Sequence, residues 1–137
     1  MPPIDLATLD TRRGAEAGFT LPLVHPKSGA RLGTIIRLLG ADADVFQAKL
    51  REQVQQNRER FNRAGRIVQT PEEDRADGIE LVVAATLGWT ELIVDGAEVP
   101  FSAQAARLLY ERFPWIYEQV EKAVNDRGNF LPGAATP

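Results

Sequence analysis

Apolar and polar residues alternate in two short runs near the start of the chain. The first run covers residues 19–24 and the second covers residues 31–39. A period of two is typical of half-buried strands. Pro22 has no N–H to offer to a ladder, so the first strand is predicted to lie at a sheet edge. Residues 25–29 read His-Pro-Lys-Ser-Gly, a turn composition, and the two runs therefore predict a β-hairpin.

The pattern then changes to the three- and four-residue spacing of a helix. Asp42 or Asp44 is expected to cap a long helix, and Gly65 is the natural place for it to end. One stripe recurs on one face of this helix, formed by Phe46, Leu50, Val54, Asn57, Phe61 and Ala64.

Three further helices are predicted from their start and stop signals. Thr70 followed by Pro71 is a strong helix start, and Gly88 ends that helix. Ser102 caps a third helix. Pro114 ends the third helix and opens a fourth, which Gly128 ends. Between the second and third helices, an Asp-Gly pair flanked by apolar residues predicts a very small hairpin within residues 91–99.

These elements predict an α-dominant α+β fold, in which an N-terminal β-hairpin is followed by about four helices. We expect a single domain over residues 17–131. Residues 1–16 show little periodicity and are predicted to form a flexible N-terminal arm, and residues 132–137 a flexible tail. Two strands alone are marginal in water, so the hairpin must pack on helices or pair with another chain.

Composition excludes several classes of protein. The 137-residue chain has no cysteine, which excludes disulfides, thiol nucleophiles and iron–sulfur clusters. Its net charge of -3 is too small to indicate a nucleic-acid or membrane partner. The first residues lack the basic and apolar regions of a signal peptide, and no apolar stretch approaches the length of a membrane span. We therefore expect a cytosolic protein.

Candidate catalytic chemistry is sparse. The only histidine, His25, lies in the predicted turn, where a solvent-exposed structural residue is the more common outcome. The acidic run at residues 72–74 is explained by the macrodipole at a helix N-terminus. Gly29, Gly33 and Gly40 match no phosphate-binding motif. The sequence predicts no enzyme, no cofactor, no metal and no small-molecule substrate.

The long helix region is locally basic, which raises nucleic-acid binding as an alternative function. Its basic residues are Lys49, Arg51, Arg58, Arg60, Arg63 and Arg66. At 100° per residue they scatter around the polar side instead of forming one recognition face. A solvated face is the preferred interpretation, and an interface with an acidic protein surface stays open.

Aromatic residues are concentrated in the last third of the chain. Most are expected in the core, but Trp115 and Tyr117 are two residues apart on one predicted helix. They cannot both face inward, so one of them is predicted to be exposed, as aromatics at binding surfaces are.

Four segments of the chain resemble the tail assembly chaperones of long-tailed bacteriophages (siphophages) and prophages. They are residues 87–92 with Trp89, residues 95–102 with a Val-Pro-Phe-Ser turn, residues 108–120 with the break at Pro114, and the Asn-Phe-Leu of residues 129–131. The preceding hairpin with its His-Pro-Lys-Ser-Gly turn is also similar. The resemblance covers roughly residues 17–131.

This resemblance implies a non-enzymatic role in viral tail morphogenesis in the host cell cytoplasm. Such chaperones bind and solubilise the tape measure protein and help recruit tail tube subunits. The expected partners are therefore a tape measure protein and a tail tube protein, with possible self-association. Partner-binding candidates are Trp115, Tyr117, Phe130 and Leu131, although Phe130 and Leu131 have an equally good explanation as residues that pack the tail onto the domain. A structural tail-completion or head–tail joining component is the first alternative, and a small nucleic-acid-binding regulator is the second.

Overall fold

The computed structural model describes residues 1–65 and 69–132 of the chain. The helices are α1 (Thr11–Ala17), α2 (Asp44–Ala64), α3 (Pro71–Ala85), α4 (Ala103–Arg112) and α5 (Pro114–Asn125), with 3₁₀ helices at Leu6–Leu9 and Arg127–Phe130. The strands are β1 (Phe19–Val24), β2 (Arg31–Leu38), β3 (Thr86–Trp89), β4 (Ile93–Val94) and β5 (Ala97–Glu98). The predicted α-dominant α+β fold with an N-terminal hairpin is confirmed.

The N-terminal hairpin belongs to a three-stranded antiparallel sheet with the order β1-β2-β3. The predicted edge position of β1 is confirmed. Pro22 has no N–H for a further strand, and the side-chain amide of Gln119 in α5 satisfies both polar groups of Val24, at 2.9 and 3.1 Å. The edge of β1 is therefore partly closed by proline and partly by a side chain that imitates a neighbouring strand.

One hydrophobic core joins the inner face of the sheet to α3, α4 and α5. Its fully buried members include Ile36 and Leu38 from β2, Val82 from α3, Tyr110 from α4 and Val120 from α5. The alternating burial along β2 is the predicted period of two. The sheet thus has helices on one face, whereas Ile35 and Arg37 on the other face of β2 are exposed.

The second helix ends earlier than predicted, because the chain turns directly into a strand. Helix α3 stops at Ala85, and Thr86 begins β3, which pairs with β2. The Thr86 hydroxyl donates to the carbonyl of Val82 at 2.7 Å and lies 2.8 Å from the hydroxyl of Tyr110. A threonine hydroxyl has one proton, and Thr86 donates it to Val82. The Tyr110 hydroxyl is therefore the donor to the Thr86 oxygen in this buried series of hydrogen bonds.

The other helix boundaries follow the predicted signals with two corrections, at the start of α2 and at the end of α5. The Thr70 and Ser102 caps, the Gly65 stop in the left-handed region and the Pro114 start are confirmed. Neither Asp42 nor Asp44 caps α2: the N-cap is Ala43, and a carboxylate oxygen of Glu16 accepts the N–H of Asp44 instead. Asp42 is held by Arg127, whose guanidinium keeps the pKa of that carboxyl below its usual value. The fourth helix ends at Asn125, and Gly128 lies in the following 3₁₀ helix.

The predicted stripe on α2 is buried only at its first residue, Phe46. The face that packs on α3 is rotated from the stripe and carries Gln53, whose amide donates to the carbonyl of Asp77 at 2.8 Å. Leu50, Val54 and Phe61 are consequently left exposed. The hydrogen bond from Gln53 to Asp77, rather than the apolar stripe, determines which face of α2 packs on α3.

The N-terminal segment is more structured than the predicted arm. Residues 1–16 contain a 3₁₀ helix and most of α1, Ala15 is buried, and α1 packs against the C-terminal 3₁₀ helix. Gly14 permits this contact, because a Cβ there would lie 1.5 Å from the carbonyl oxygen of Phe130. Residues 133–137 of the predicted tail lie outside the described residues, as does Arg66 of the basic region.

Replacing Gly14 with alanine tests this contact. Alanine for glycine in a helix normally stabilises by about 0.5–1 kcal/mol. Here we expect a destabilisation of about 1–3 kcal/mol, because the new methyl group overlaps backbone that cannot rotate away. Urea unfolding measures the change.

The matched control is Gly88→Ala in β3, where a Cβ meets nothing within 4 Å. It is expected to leave stability unchanged or slightly higher. A Gly14→Ala protein as stable as this control would contradict the docking of α1 on the C-terminal 3₁₀ helix.

Candidate functional site

An apolar groove of about 300 Å³ opens between the sheet, the small β4–β5 hairpin and the corner where α4 meets α5. Leu92 and Ile116 are buried in its floor. Its rim carries Leu32, Ile93 and Trp115, and the side chain of Ile93 is 68% exposed. Apolar side chains exposed around an apolar depression are typical of surfaces that receive a partner's side chain.

Pro114 creates the aromatic wall of the groove. Because Pro114 disfavours a helical residue before it, α4 ends at Arg112 and Phe113 takes a non-helical conformation. Phe113 and Trp115 then flank the corner edge to face, with ring centroids 6.3 Å apart. Both residues line the groove.

An ion pair holds the small hairpin beside this wall. Asp95 and Gly96 form the tight turn with positive φ values of 54° and 80°. The guanidinium of Arg112 donates to both carboxylate oxygens of Asp95, at 2.6 and 2.9 Å, and lies 5.1 Å from the ring centre of Phe113. The hydrogen bond from Arg112 lowers the pKa of Asp95. The pair is exposed, so its role is to position Ile93 rather than to add much stability.

The opposite side of the groove is tied to the sheet through the backbone. Thr34 in β2 donates its hydroxyl to the carbonyl of Glu91 at 3.1 Å. The N–H of Thr90 donates to the carbonyl of Ile35 at 3.0 Å. Glu91 is held at a positive φ of 41°, a conformation that non-glycine residues rarely adopt. The groove is therefore built on elements that are anchored to the sheet.

The four predicted partner-binding residues are not brought together. Trp115 is half-buried in the groove. Tyr117 is also half-buried, with its hydroxyl over Gly78, where a Cβ would lie 2.5 Å away. The prediction that one of this pair is exposed is wrong. The ring of Tyr117 packs where Gly78 has no side chain, and the ring of Trp115 packs at the corner that Pro114 forms.

Phe130 and Leu131 lie elsewhere. Phe130 is buried, edge to face with Phe19 at 5.9 Å. Leu131 is half-buried on the wall of a second cavity of about 580 Å³ between α1, the sheet and the C-terminal segment, which shares no lining residue with the groove. The packing explanation for Phe130 is the one that the structure supports.

The groove also contains residues that the sequence did not single out. Leu32 falls in the second predicted strand and Ile93 in the predicted hairpin of residues 91–99, and neither pattern indicates a functional role. The Asp-Gly turn is the sequence signal for an exposed apolar residue here. It places Ile93 and Val94 on a hairpin that is too short to bury both side chains.

The remaining candidates have structural roles. His25 is exposed, and its Nδ1 accepts the N–H groups of Lys27 and Ser28 within the turn, at 3.1 and 3.2 Å. In the acidic run, Glu73 pairs with Arg60 at 3.0 Å. Over residues 1–65 and 69–132, no cluster of His, Asp or Glu side chains could hold a metal ion. No helix in this same part of the chain is both long and apolar enough to cross a bilayer.

Comparison with known proteins gives no relative: no family model, no curated protein and no solved structure matches this chain.

The two tyrosines predict how the protein behaves in alkali. Burial raises the pKa of Tyr110 to about 12. Burial and the charge of Glu121 raise the pKa of Tyr117 to about 12. Since an unfolded tyrosine ionises near pH 10, the free energy of unfolding should be constant with respect to these groups below pH 10 and fall from pH 10 to 12. Unfolding at several pH values, with phenolate absorbance as a second readout, measures this.

Tyr117→Phe is the control, because it keeps the ring and removes one ionising group. The fall in stability above pH 10 should become shallower in this variant. Phenolate absorbance that appears near pH 10 in the folded protein would contradict the prediction.

Proposed function

We propose that this chain is a phage tail assembly chaperone that binds and solubilises a tape measure protein in the host cytoplasm and helps recruit tail tube subunits. The observation that carries the proposal is the groove around Trp115. Trp115 lies within residues 108–120, a segment that resembles these chaperones. Trp115 is thus both a partner-binding residue predicted from the sequence and a lining residue of the groove.

The groove suits a helical partner with an apolar stripe. A depression of about 300 Å³ accommodates one or two large side chains. An amphipathic helix that inserts such a side chain would cover Ile93 and Leu32 and contact the ring of Trp115. Aromatic residues in this setting commonly supply most of the binding energy at an interface.

A contact of this size also fits a chaperone that must be displaced. An interface centred on one small groove is at the low end of the areas that specific complexes bury. Such a contact is reversible, as a chaperone requires when tube subunits polymerise on its client. A permanent structural component of a tail would instead need a large interface between its copies.

Co-expression with the tape measure protein of the same phage or prophage genome tests the function. We expect the tape measure protein to become soluble and to co-purify with this chain. Ile93→Ser on the groove rim should weaken the complex about tenfold or more without unfolding the protein, because Ile93 is mostly exposed. Trp115→Ala should weaken it further. Solubility, pull-down and a binding titration measure these effects.

Leu108→Ser is the matched control, since Leu108 is an exposed leucine on α4 away from the groove. It should bind as the unchanged protein does. An insoluble tape measure protein together with a uniform, stable oligomer of this chain would favour the tail-completion or head–tail joining component. A steeply salt-dependent DNA shift would favour the regulator.

A further inference from the structure

Helix α2 presents an apolar stripe to solvent. The stripe consists of Leu50, Val54 and Phe61, whose side chains are 36%, 50% and 46% exposed. At 100° per residue the three lie within an arc of about 40°, and they extend over about 16 Å along the helix. This α2 stripe is separate from the groove, because none of its residues lines that depression.

The packing of α2 on α3 leaves the stripe uncovered. Gln53 donates to the carbonyl of Asp77 in α3, and Arg60 pairs with Glu73 of the same helix at 3.0 Å. These two contacts hold the side of α2 that carries Gln53 and Arg60 against α3. The stripe therefore lies at the side of the helix pair, where a second helix could lie along α2 without moving α3.

Basic residues follow the free border of the stripe. Arg51 and Arg58 are seven residues apart, so they lie on the same side of α2, next to Leu50 and Val54. The ion pairs of α2 within the described residues use Asp44, Lys49, Glu52 and Arg60. Arg51 and Arg58 are both exposed and take part in none of these pairs. Two cations beside three exposed apolar residues form a surface that complements an apolar face with a negative border.

A second copy of this chain is a poor occupant for this surface. When two identical helices pair antiparallel, the same border of each helix faces its counterpart. Arg51 of one copy would then lie opposite Arg58 of the other, and this like-charge contact disfavours the pair. The charges favour a different chain that carries Asp or Glu where this one carries arginine.

We propose that the α2 stripe, with Arg51 and Arg58, is a second docking surface, and that its occupant is an amphipathic helix of another protein whose apolar face is bordered by acidic residues. The occupant needs about three turns, with apolar residues at three- and four-residue spacing. Its acidic residues lie about seven residues apart, to face the two arginines. The proposal is independent of the groove and of the tape measure protein.

Three synthetic helical peptides with one common apolar face and a Glu, Gln or Lys border test the surface. Binding to the full chain is measured by fluorescence anisotropy at low and at physiological salt. We expect the Glu-bordered peptide to bind at least tenfold more tightly than the Lys-bordered one. This advantage should shrink with salt, since the ion pairs are exposed.

Two sets of substitutions separate the charge from the apolar contact. Arg51→Glu combined with Arg58→Glu should reverse the preference, so that the Lys-bordered peptide binds more tightly. Val54→Gln should weaken all three peptides. Arg63→Glu is the matched control, because Arg63 is an exposed arginine on the far side of α2, and it should leave the preference unchanged.

Four outcomes would overturn the proposal. They are equal binding of the Glu and Lys peptides, a preference that survives reversal of both arginines, a DNA duplex that displaces the peptide from Arg51 and Arg58, and a dimer of this chain that Val54→Gln dissociates. Ile93→Ser should leave peptide binding unchanged, so failure here and failure of the chaperone function are distinguishable.

Discussion

The buried hydrogen-bond chain from Tyr110 through Thr86 to Val82 is the constraint on which the arrangement of sheet and helices depends. Helix α3 becomes β3 without a loop, so the direction of the sheet is set by the last turn of a helix. Tyr110 fixes α4 to that junction, and the N–H of Leu39 donates to the carbonyl of Ala85 from the other side. Loss of one partner would leave a buried hydroxyl unsatisfied, which costs about 1–3 kcal/mol. The corner between α4 and α5, and with it the groove, is positioned from this point.

Local signals in the sequence predicted the elements whose limits are set by one or two residues. Pro22 marked the edge strand, Thr70 and Ser102 marked helix starts, and Pro114 marked the corner. The end of α3 could not be found in this way. Thr86 continues the helical spacing of Ile79 and Val82 and also fits a strand, and its pairing with β2 is a contact between distant segments. Residues 1–16 show little periodicity because α1 packs on the 3₁₀ helix of Arg127–Phe130, which is distant in the sequence.

The site residues show the same division. Of the four predicted partner-binding residues, only Trp115 lines the groove. Which aromatic side chains are buried depends on glycines distant in the sequence, where the missing side chain leaves space. Tyr117 packs against Gly78, and Phe130 packs against Gly14 and Gly40. The exposure of the α2 stripe depends on Gln53, a polar residue that hydrophobic periodicity does not count. Periodicity predicts which residues share a helix face, whereas the polar contacts of the helix decide which face is turned inward.

The contact between Gln119 and Val24 has a consequence for how the chain emerges from the ribosome. The two residues are separated by 95 positions, so the hairpin is synthesised long before the side chain that closes its edge. Throughout that interval the backbone of Val24 is open to pairing with any extended chain nearby, a nascent copy on the same polysome included. Only Pro22, which is in place from the start, blocks such pairing locally. Pro22 therefore protects the first strand during translation, and Gln119 takes over that task once α5 has been synthesised and packs on the hairpin.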